Sequence, residues 1–202
     1  MLDFQIVASD SLLCEEGAIM FTRTIQSSSS VDSVRWFFEG ATVPNNTINS
    51  PTRLYNVVGD YDVTLTVHSG HCSETITKDD FIKIAPIPDN AVVINPSEGC
   101  LPTTVNFTDA TTIASGNVAT WAWNFGEGTV DSNQNVAALY DTVGTFDVQL
   151  ITVSDFGCAD TLLYQDTITI HPLPVSFFTS DTFACTGQTV NFTNLSTGGN
   201  LT

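Results

Sequence analysis

Basic residues are scarce in this chain. Only five of its 202 residues are Lys or Arg, whereas 22 are Asp or Glu, and residues 89–174 hold ten acidic residues without one Lys or Arg. Such a surface repels phosphate groups, which excludes nucleic acids as partners and makes anionic membrane surfaces poor ones. A high negative charge also keeps a long chain soluble and stops its parts from adhering to one another.

Long apolar runs are also missing. No stretch approaches the roughly eighteen residues of a membrane span, so direct membrane insertion is not expected. Residues 1–10 lack the basic start and the unbroken apolar core of a signal peptide. If the protein is exported, we expect its signal in another part of a longer chain.

Residues that carry out catalysis are few. The histidines are His68, His71 and His171, and the five cysteines form no CxxC pair. No nucleophile elbow, phosphate-binding loop or dinucleotide-binding glycine pattern is present, and the acidic residues are scattered rather than paired. We interpret the histidines as loop residues. The sequence therefore predicts that the protein is not an enzyme and needs no cofactor.

The cysteines reveal an internal repeat. Cys14, Cys100 and Cys185 are 86 and 85 residues apart, and Cys72 and Cys158 are again 86 apart. Other matched positions lie between them: Trp36 and Trp123, Tyr55 and Tyr140, and Gly59 and Gly144. A period of this length requires a folded domain for each copy rather than a solenoid unit.

We therefore predict two complete domains, residues 1–88 and 89–174. Residues 175–202 would be the N-terminal part of a truncated third copy, because no counterpart of the tryptophan follows. The chain is accordingly interpreted as a segment of a longer tandem array. Each of the first two copies ends in a Pro-x-Pro linker, at residues 84–88 and 170–174. Because proline stops the last strand, these linkers predict short, extended joints and a rod-like array.

Alternating apolar residues predict strands throughout, with almost no helical periodicity. Trp123 and Phe125 share one face of a strand, as do Trp36 and Phe38 in the first copy, and we assign both tryptophans to the cores. Tyr55 and Tyr140 stand where an immunoglobulin-like domain has its tyrosine corner, whose hydroxyl bonds back to the main chain. The predicted fold is all-β, with tandem immunoglobulin-like β-sandwiches.

Each complete copy contains two cysteines 58 residues apart, Cys14 with Cys72 and Cys100 with Cys158. We predict one disulfide within each copy, where closing such a loop contributes about 4 kcal/mol. Cys185 would then pair beyond residue 202. Metal binding is one alternative, although each copy offers only two thiols, and buried free thiols are the other. Disulfides imply an oxidising, extracytoplasmic environment.

Two motifs in the second copy resemble the PKD domain. These are Trp123-Asn-Phe-Gly-Glu-Gly128 and Tyr140-x-x-x-Gly144-Thr-Phe-Asp-Val-Gln-Leu150, although Glu127 stands where the family favours Asp. In the first copy the second motif is intact, but the tryptophan motif lacks its first glycine, so we expect a different turn there. The resemblance implies the PKD sandwich. The cysteines and Pro-x-Pro linkers also resemble PKD arrays of Bacteroidetes cell-surface proteins, such as SprB-type gliding-motility adhesins exported by the type IX route.

Two kinds of surface site are candidates. Asp131, Asn133 and Asn135 place oxygens at alternate positions, like the start of a calcium loop, but Val136 replaces the turning glycine, and a solvated polar loop is the alternative. Asp-Ser/Thr-aliphatic triplets resemble the O-glycosylation sequence of Bacteroidetes exported proteins, although such residues are ordinary in loops. The candidate acceptors are Ser11, Ser33, Thr142, Thr161 and Thr167.

The predicted function is a non-catalytic, extracellular spacer in a large bacterial surface adhesin, linked to gliding motility or surface attachment. Its partners would be neighbouring repeats, with surface polysaccharide or other surface proteins at the far end. The alternative is an accessory PKD module that attaches a secreted exoenzyme to carbohydrate or protein. That role would need exposed aromatic side chains, and Trp121 and Tyr164 are the residues whose exposure the sequence leaves open.

Overall fold

The computed structural model describes residues 3–25 and 30–198, and all regular secondary structure in these ranges is β-strand, which confirms the all-β prediction. Among these residues, none lies in a helix that is long and apolar enough to span a membrane. The chain divides into two compact units. The first comprises Met1–Pro88 with Ile113–Asn117 and Val153–Ala159, and the second comprises Asp89–Thr112, Val118–Thr152 and Asp160–Thr202.

Two sheets form the first unit. Its strands are β1 (Phe4–Ala8), β2 (Leu12–Cys14), β3 (Gly17–Ile25), β4 (Ser33–Phe38), β5 (Asn45–Asn46), β6 (Thr52–Tyr55), β7 (Gly59–Ser69) and β8 (Cys72–Ala85). One sheet has the order β1-β3-β6 and the other β2-β8-β7-β4-β5. Neighbouring strands are antiparallel except that β2 runs parallel to the end of β8. This parallel pair places Cys14 opposite Ala85.

Alternation of apolar and polar residues explains which side of each strand is buried. In β4, Val34, Trp36 and Phe38 are buried, whereas the residues between them are exposed. The Phe21 ring from the other sheet lies 4.6 Å from Phe38 and 6.2 Å from Trp36, between ring centroids. Tyr55 completes this aromatic core and is fully buried. The two sheets are therefore joined face to face, as in an immunoglobulin-like sandwich.

The second unit repeats this arrangement. Its strands are β9 (Val92–Asn95), β10 (Glu98–Cys100), β11 (Thr103–Asp109), β12 (Val118–Asn124), β13 (Val130–Asp131), β14 (Val136–Tyr140), β15 (Gly144–Ser154) and β16 (Ala159–His171). The sheets have the orders β14-β11-β9 and β10-β16-β15-β12-β13. The strand β10 runs parallel to the end of β16, with Cys100 opposite His171. The core contains Trp123, Tyr140 and Phe107, all nearly inaccessible to solvent.

The last strand of each unit carries a matching irregularity. Asp80 in β8 and Asp166 in β16 both have a positive φ, at 48° and 49°. The backbone N–H of Asp80 donates to the Asp62 carboxylate at 2.8 Å, and that of Asp166 donates to Asp147 at 2.7 Å. Aspartate tolerates this conformation better than most residues, and here each kinked N–H finds an acceptor on the neighbouring strand.

The turn after the tryptophan strand uses a left-handed glycine in both units. Gly126 has φ +84°, and a Cβ there would lie 2.8 Å from the Asp147 carbonyl oxygen. In the first unit Gly40 has φ +67°, and a Cβ there would overlap the Tyr61 ring. The first unit has its glycine one residue later relative to its phenylalanine, since Gly40 follows Phe38 by two positions and Gly126 follows Phe125 by one. This glycine lies against a side-chain ring rather than against a backbone carbonyl.

The remaining described residues form one small two-stranded sheet. The strands β17 (Phe178–Ser180) and β18 (Phe192–Asn194) pair antiparallel. Phe178 and Phe192 face each other with ring centroids 6.0 Å apart, yet both remain largely exposed.

Candidate functional site

The only covalent cross-link among the described residues is a disulfide between Cys14 and Cys158. Both cysteines belong to the first unit, since this unit includes residues 153–159. Their Cα atoms are 5.7 Å apart, inside the usual range for a disulfide. Cys72, Cys100 and Cys185 are free and exposed.

The disulfide pairing predicted from the sequence is therefore wrong. Cys14 lies opposite Ala85, the last residue of β8, whereas Cys72 is the first residue of that 14-residue strand. At about 3.3 Å per residue, the two cysteines are at opposite ends of a strand roughly 40 Å long. The second unit has the same geometry, because Cys100 lies opposite His171 at the end of β16 and Cys158 directly precedes the start of that strand. No disulfide can span such a distance.

The turn that contains Cys158 is held by its own hydrogen bonds. The Cys158 carbonyl accepts a hydrogen bond from the Ser154 N–H at 2.8 Å, and the Cys158 N–H donates to the Ser154 hydroxyl at 3.2 Å. Gly157 has φ +84°, which glycine adopts without strain. The Asp155 N–H donates to the Asn117 carbonyl at 2.9 Å, which joins the two short segments assigned to the first unit.

Side chains around this turn contribute further contacts. The Lys83 ammonium lies 5.0 Å from the centroid of the Phe156 ring, and it also pairs with the Asp60 carboxylate at 2.5 Å. Cys158 is 1% exposed. These contacts hold the turn against the end of β8, where Cys14 is in reach.

The loop that this disulfide closes is long. Its cysteines are 144 residues apart in sequence, and in the chain-entropy model this closure contributes about 5 kcal/mol. That amount is a substantial part of the net stability of a domain, which is about 5–15 kcal/mol. The bond also implies an oxidising environment, in agreement with the compartment expected from the cysteine content.

The two predicted tyrosine corners differ. The Tyr140 hydroxyl donates to the Phe125 carbonyl at 3.0 Å in the core of the second unit. The Tyr55 hydroxyl is buried and finds no partner among the described residues. Burial raises the pKa of both phenols, and the charges of Arg53 and Tyr61 act in addition on the pKa of Tyr55, the former lowering it and the latter raising it. Both tyrosines are therefore neutral core residues.

The predicted calcium loop carries out a packing role. The Asn133 carbonyl accepts the indole N–H of the buried Trp123 at 2.9 Å. The Asp131 carboxylate accepts N–H bonds from Ser132 and Asn133, and the Asn133 backbone N–H is the main reason why the pKa of Asp131 is lowered. The Asn135 side-chain oxygen accepts the Asp109 N–H at 2.9 Å. No metal-binding cluster of His, Cys, Asp or Glu occurs within the ranges that the structure describes. Calcium binding stays a prediction.

Trp121 is not available as an exposed aromatic platform. Its indole N–H donates to the Asp109 carboxylate at 2.8 Å, and its ring packs partly against the core of the second unit. Burial raises the pKa of Asp109, but hydrogen bonds from Thr111, Trp121 and Gln134 outweigh this effect and lower the pKa overall. Tyr164 is only partly buried in β16.

The histidines and the candidate glycosylation sites lie on or near the surface. His171 hydrogen-bonds to Glu98 at 2.6 Å beside Cys100, His68 pairs with Ser33 across β4 and β7, and His71 is exposed in the turn before β8. The candidate acceptors Ser11, Ser33, Thr142 and Thr161 are exposed, and Thr167 is partly buried. The Thr142 hydroxyl donates to Glu127 at 2.6 Å. Modification of these residues stays a prediction.

Comparison with known proteins is informative for part of the chain. Residues 85–170 match the family model of the PKD domain. A search of curated protein sequences finds no match.

Solved structures with a similar fold include the PKD1 domain of the Vibrio cholerae metalloprotease PrtV, at 21% identity and a TM-score of 0.35, covering 43% of this chain and 99% of that domain. The fibronectin(III)-like modules of Clostridium thermocellum CbhA are 13% identical at a TM-score of 0.40, covering 82% and 95%. A C-terminal 282-residue fragment of intimin, solved with the intimin-binding domain of its translocated receptor Tir, is 9% identical at a TM-score of 0.53, covering 87% and 66%. Similarity at these identities concerns the fold alone.

Proposed function

We propose that this chain is a structural spacer, because residues 85–170 match the family model of the PKD domain, a kind of module that is generally extracellular and structural or binding in role. It forms part of a tandem array of PKD-like sandwiches in a large bacterial cell-surface adhesin. The array holds a distal adhesive part away from the cell and transmits force during surface attachment or gliding. The chain itself is non-catalytic, and its immediate partners are the neighbouring repeats.

The observation that carries this proposal is the Cys14–Cys158 disulfide. Force applied to the two ends of the chain enters at Cys14, crosses the S–S bond and leaves at Cys158. The strands from β3 to β15 lie inside the closed loop, so the load does not act on them directly. This arrangement suits a module whose task is to resist extension, and a disulfide persists only outside reducing compartments.

The use of the large aromatic residues also favours a spacer. Trp36, Trp123, Tyr55 and Tyr140 are buried in the two cores and offer no surface to a ligand. Trp121 is partly buried and bonded to Asp109. The alternative, an accessory module that binds carbohydrate or protein for an exoenzyme, would depend on Tyr164 and its surroundings. Loss of polysaccharide binding on Tyr164→Ala would favour that alternative.

Replacement of the segment in its native protein tests the proposal. Residues 1–174 are exchanged for two immunoglobulin-like sandwiches of unrelated sequence, so that the number of modules is kept. A spacer tolerates this exchange, and the cells should adhere to surfaces at an undiminished level. Deletion without replacement should reduce adhesion, because the distal part then lies closer to the cell.

Two outcomes would contradict the proposal. If adhesion is lost after the exchange although the protein reaches the cell surface, the segment itself binds the partner. If the segment resists protease added to intact cells but is digested after lysis, it is not exposed on the surface.

A further inference from the structure

Each bonded cysteine has a counterpart in the other copy, 86 residues away in sequence. Cys14 is the last residue of β2, which pairs in parallel with the end of β8, and Cys100 is the last residue of β10, which pairs in the same way with the end of β16. Cys158 directly precedes β16, and Cys72 begins β8. One cysteine therefore lies at or next to each end of β8 and of β16.

The disulfide joins a first cysteine of one copy to a second cysteine of another. Cys14 is the first cysteine of the first copy, and Cys158 is the second cysteine of the second copy, 86 residues after Cys72. The bond thus joins the first cysteine of one copy to the second cysteine of the next. Within a copy the same pairing is impossible, because the two positions are roughly 40 Å apart along one strand.

The bonded Cys158 and the free Cys72 differ in exposure to solvent, and so do the two Pro-x-Pro linkers. Cys158 is 1% exposed, whereas Cys72 at the corresponding position is exposed. The linker residues Pro86 and Pro88 are buried, whereas Pro172 and Pro174 are exposed. The end of β16 therefore has the strand pairing of the bonded Cys14 site without the contacts that cover it. The start of β8 differs from the Cys158 turn, because Cys72 pairs with Ser69 across a two-residue turn, whereas four residues connect β15 to β16.

We propose that Cys72 and Cys100 each form a further disulfide of the same kind, each with a cysteine of a different neighbouring repeat. Cys100 bonds to the second cysteine of the repeat that follows it, and Cys72 bonds to the first cysteine of the repeat that precedes it. This inference rests on the tandem array of the proposed function. In such an array each repeat is cross-linked to both neighbours, and successive disulfide loops overlap, since Cys100 lies inside the loop that Cys14 and Cys158 close.

The bond forms by thiol–disulfide exchange with an oxidised dithiol or glutathione disulfide. The Cys100 thiolate attacks the disulfide and releases one thiolate of the oxidant, leaving a mixed disulfide. The thiolate of the partner cysteine then attacks the Cys100 sulfur and releases the second thiolate. Two cysteine thiols are oxidised, and the oxidant takes up both electrons and both protons as two thiols.

The surroundings of Cys100 differ from those of Cys14 in side chains but not in strand register. Glu98 and His171, hydrogen-bonded at 2.6 Å, stand where the first unit has Leu12 and Ala85. The pairing of β10 with β16 that positions Cys100 is unaffected by this exchange. The proposal therefore depends on the backbone position rather than on an apolar surrounding.

The test adds one complete repeat to the full chain. A second copy of residues 89–174 is inserted between Pro174 and Val175, with Ala159→Val in the inserted copy as a mass marker for its second cysteine. The protein is oxidised in a glutathione buffer, free thiols are alkylated, and linked peptides are identified by mass spectrometry. We expect two linked pairs, Cys14 with Cys158 and Cys100 with the second cysteine of the inserted copy.

Cys185 is the matched control. It is also exposed, but it lies outside any strand and no complete repeat follows it, so it should be alkylated in the extended protein. Cys72 should be alkylated as well. A second variant, Cys100→Ser, should leave the second cysteine of the inserted copy free for alkylation.

Alkylation of Cys100 in the extended protein, with the Cys14–Cys158 bond intact as proof of folding, would overturn the proposal. Pairing of Cys100 with Cys185 or Cys72 would overturn it too. This experiment detects disulfide bonds only, so its result is independent of the adhesion test of the spacer function. Disulfides between successive repeats in a protein that fails the adhesion test would leave the inference standing and the spacer function refuted.

Discussion

Reduction of the Cys14–Cys158 disulfide should greatly lengthen the chain under force. With the bond intact, the residues between the two cysteines cannot extend when the chain ends are pulled apart, even if their domains unfold. The separation is 144 residues, and an extended chain spans at most about 3.5 Å per residue. Breaking the bond should therefore release about 500 Å of additional contour length.

Single-molecule force spectroscopy on the 202-residue chain, tethered at both termini, measures this length directly. Traces recorded without reductant should show only the extension of the segments outside the loop. Traces with a thiol reductant should show about 500 Å of additional contour length. Cys14→Ser should extend fully without reductant, and Cys100→Ser, which removes an exposed free thiol at the corresponding position, should behave like the unaltered chain.

Full extension of the unaltered chain in the absence of reductant would refute this reasoning. It would mean that the two cysteines are not bonded, and the load path proposed for the array would fall with it. A released length of about 200 Å would instead indicate a bond within one copy, as first predicted from the 58-residue spacing.

Three further predictions concern the cores. Tyr140→Phe should destabilise the second unit by about 1–3 kcal/mol in urea unfolding, because it leaves the Phe125 carbonyl without its donor. Tyr55→Phe should be neutral or stabilising in the same assay, because it removes a buried hydroxyl without a partner among the described residues. Trp123→Ala should cost about 3–5 kcal/mol in the same assay, since the side chain is 1% exposed. The pKa of Asp109 is lowered in the folded state, so its ionised carboxylate should stabilise the fold fully above about pH 4, the pKa of an unfolded aspartate. This stabilisation should be lost as the pH falls through the folded-state pKa. In Asp109→Asn the free energy of unfolding should therefore decrease less steeply in acid.

Each of these predictions has a clear contrary result. Equal effects of the two Tyr→Phe substitutions would show that the Tyr140 bond contributes nothing specific. A loss below 1 kcal/mol for Trp123→Ala would contradict its place in a close-packed core. An unchanged acid limb in Asp109→Asn, compared with Asp141→Asn as an exposed control, would show that the hydrogen bonds to Asp109 do not lower its pKa.

Much of the fold was predictable because it depends on local patterns. Alternation in β4 and β12 places Trp36 and Trp123 on the buried face whatever the neighbouring strands are, since side chains in a strand point to opposite sides in turn. The left-handed turn at Gly126 follows from a motif of a few residues. A different turn was predicted in the first unit, but only the structure shows that Gly40 takes the left-handed conformation there and lies against the Tyr61 ring.

The hydrogen bonds that polar loops make to the buried tryptophans were less predictable. Oxygen-bearing side chains at alternate positions in residues 131–135 predict a calcium site, which stays a prediction, and only the structure shows that this loop accepts the indole N–H of Trp123. The corresponding bond in the first unit goes from the Trp36 indole to the Ile48 carbonyl at 3.1 Å. A backbone carbonyl serves in both, so side-chain identity carries no signal for this role.

By itself the sequence determined the repeat, the all-β sandwich and the burial of the aromatic residues, because each of these depends on periodicity or short motifs. The disulfide pairing was decided only by the tertiary structure. Spacing along the chain makes Cys14 and Cys72 look like partners, yet the parallel pairing of β2 with the far end of β8 separates them by the length of a strand and leaves Cys158 within bonding distance of Cys14.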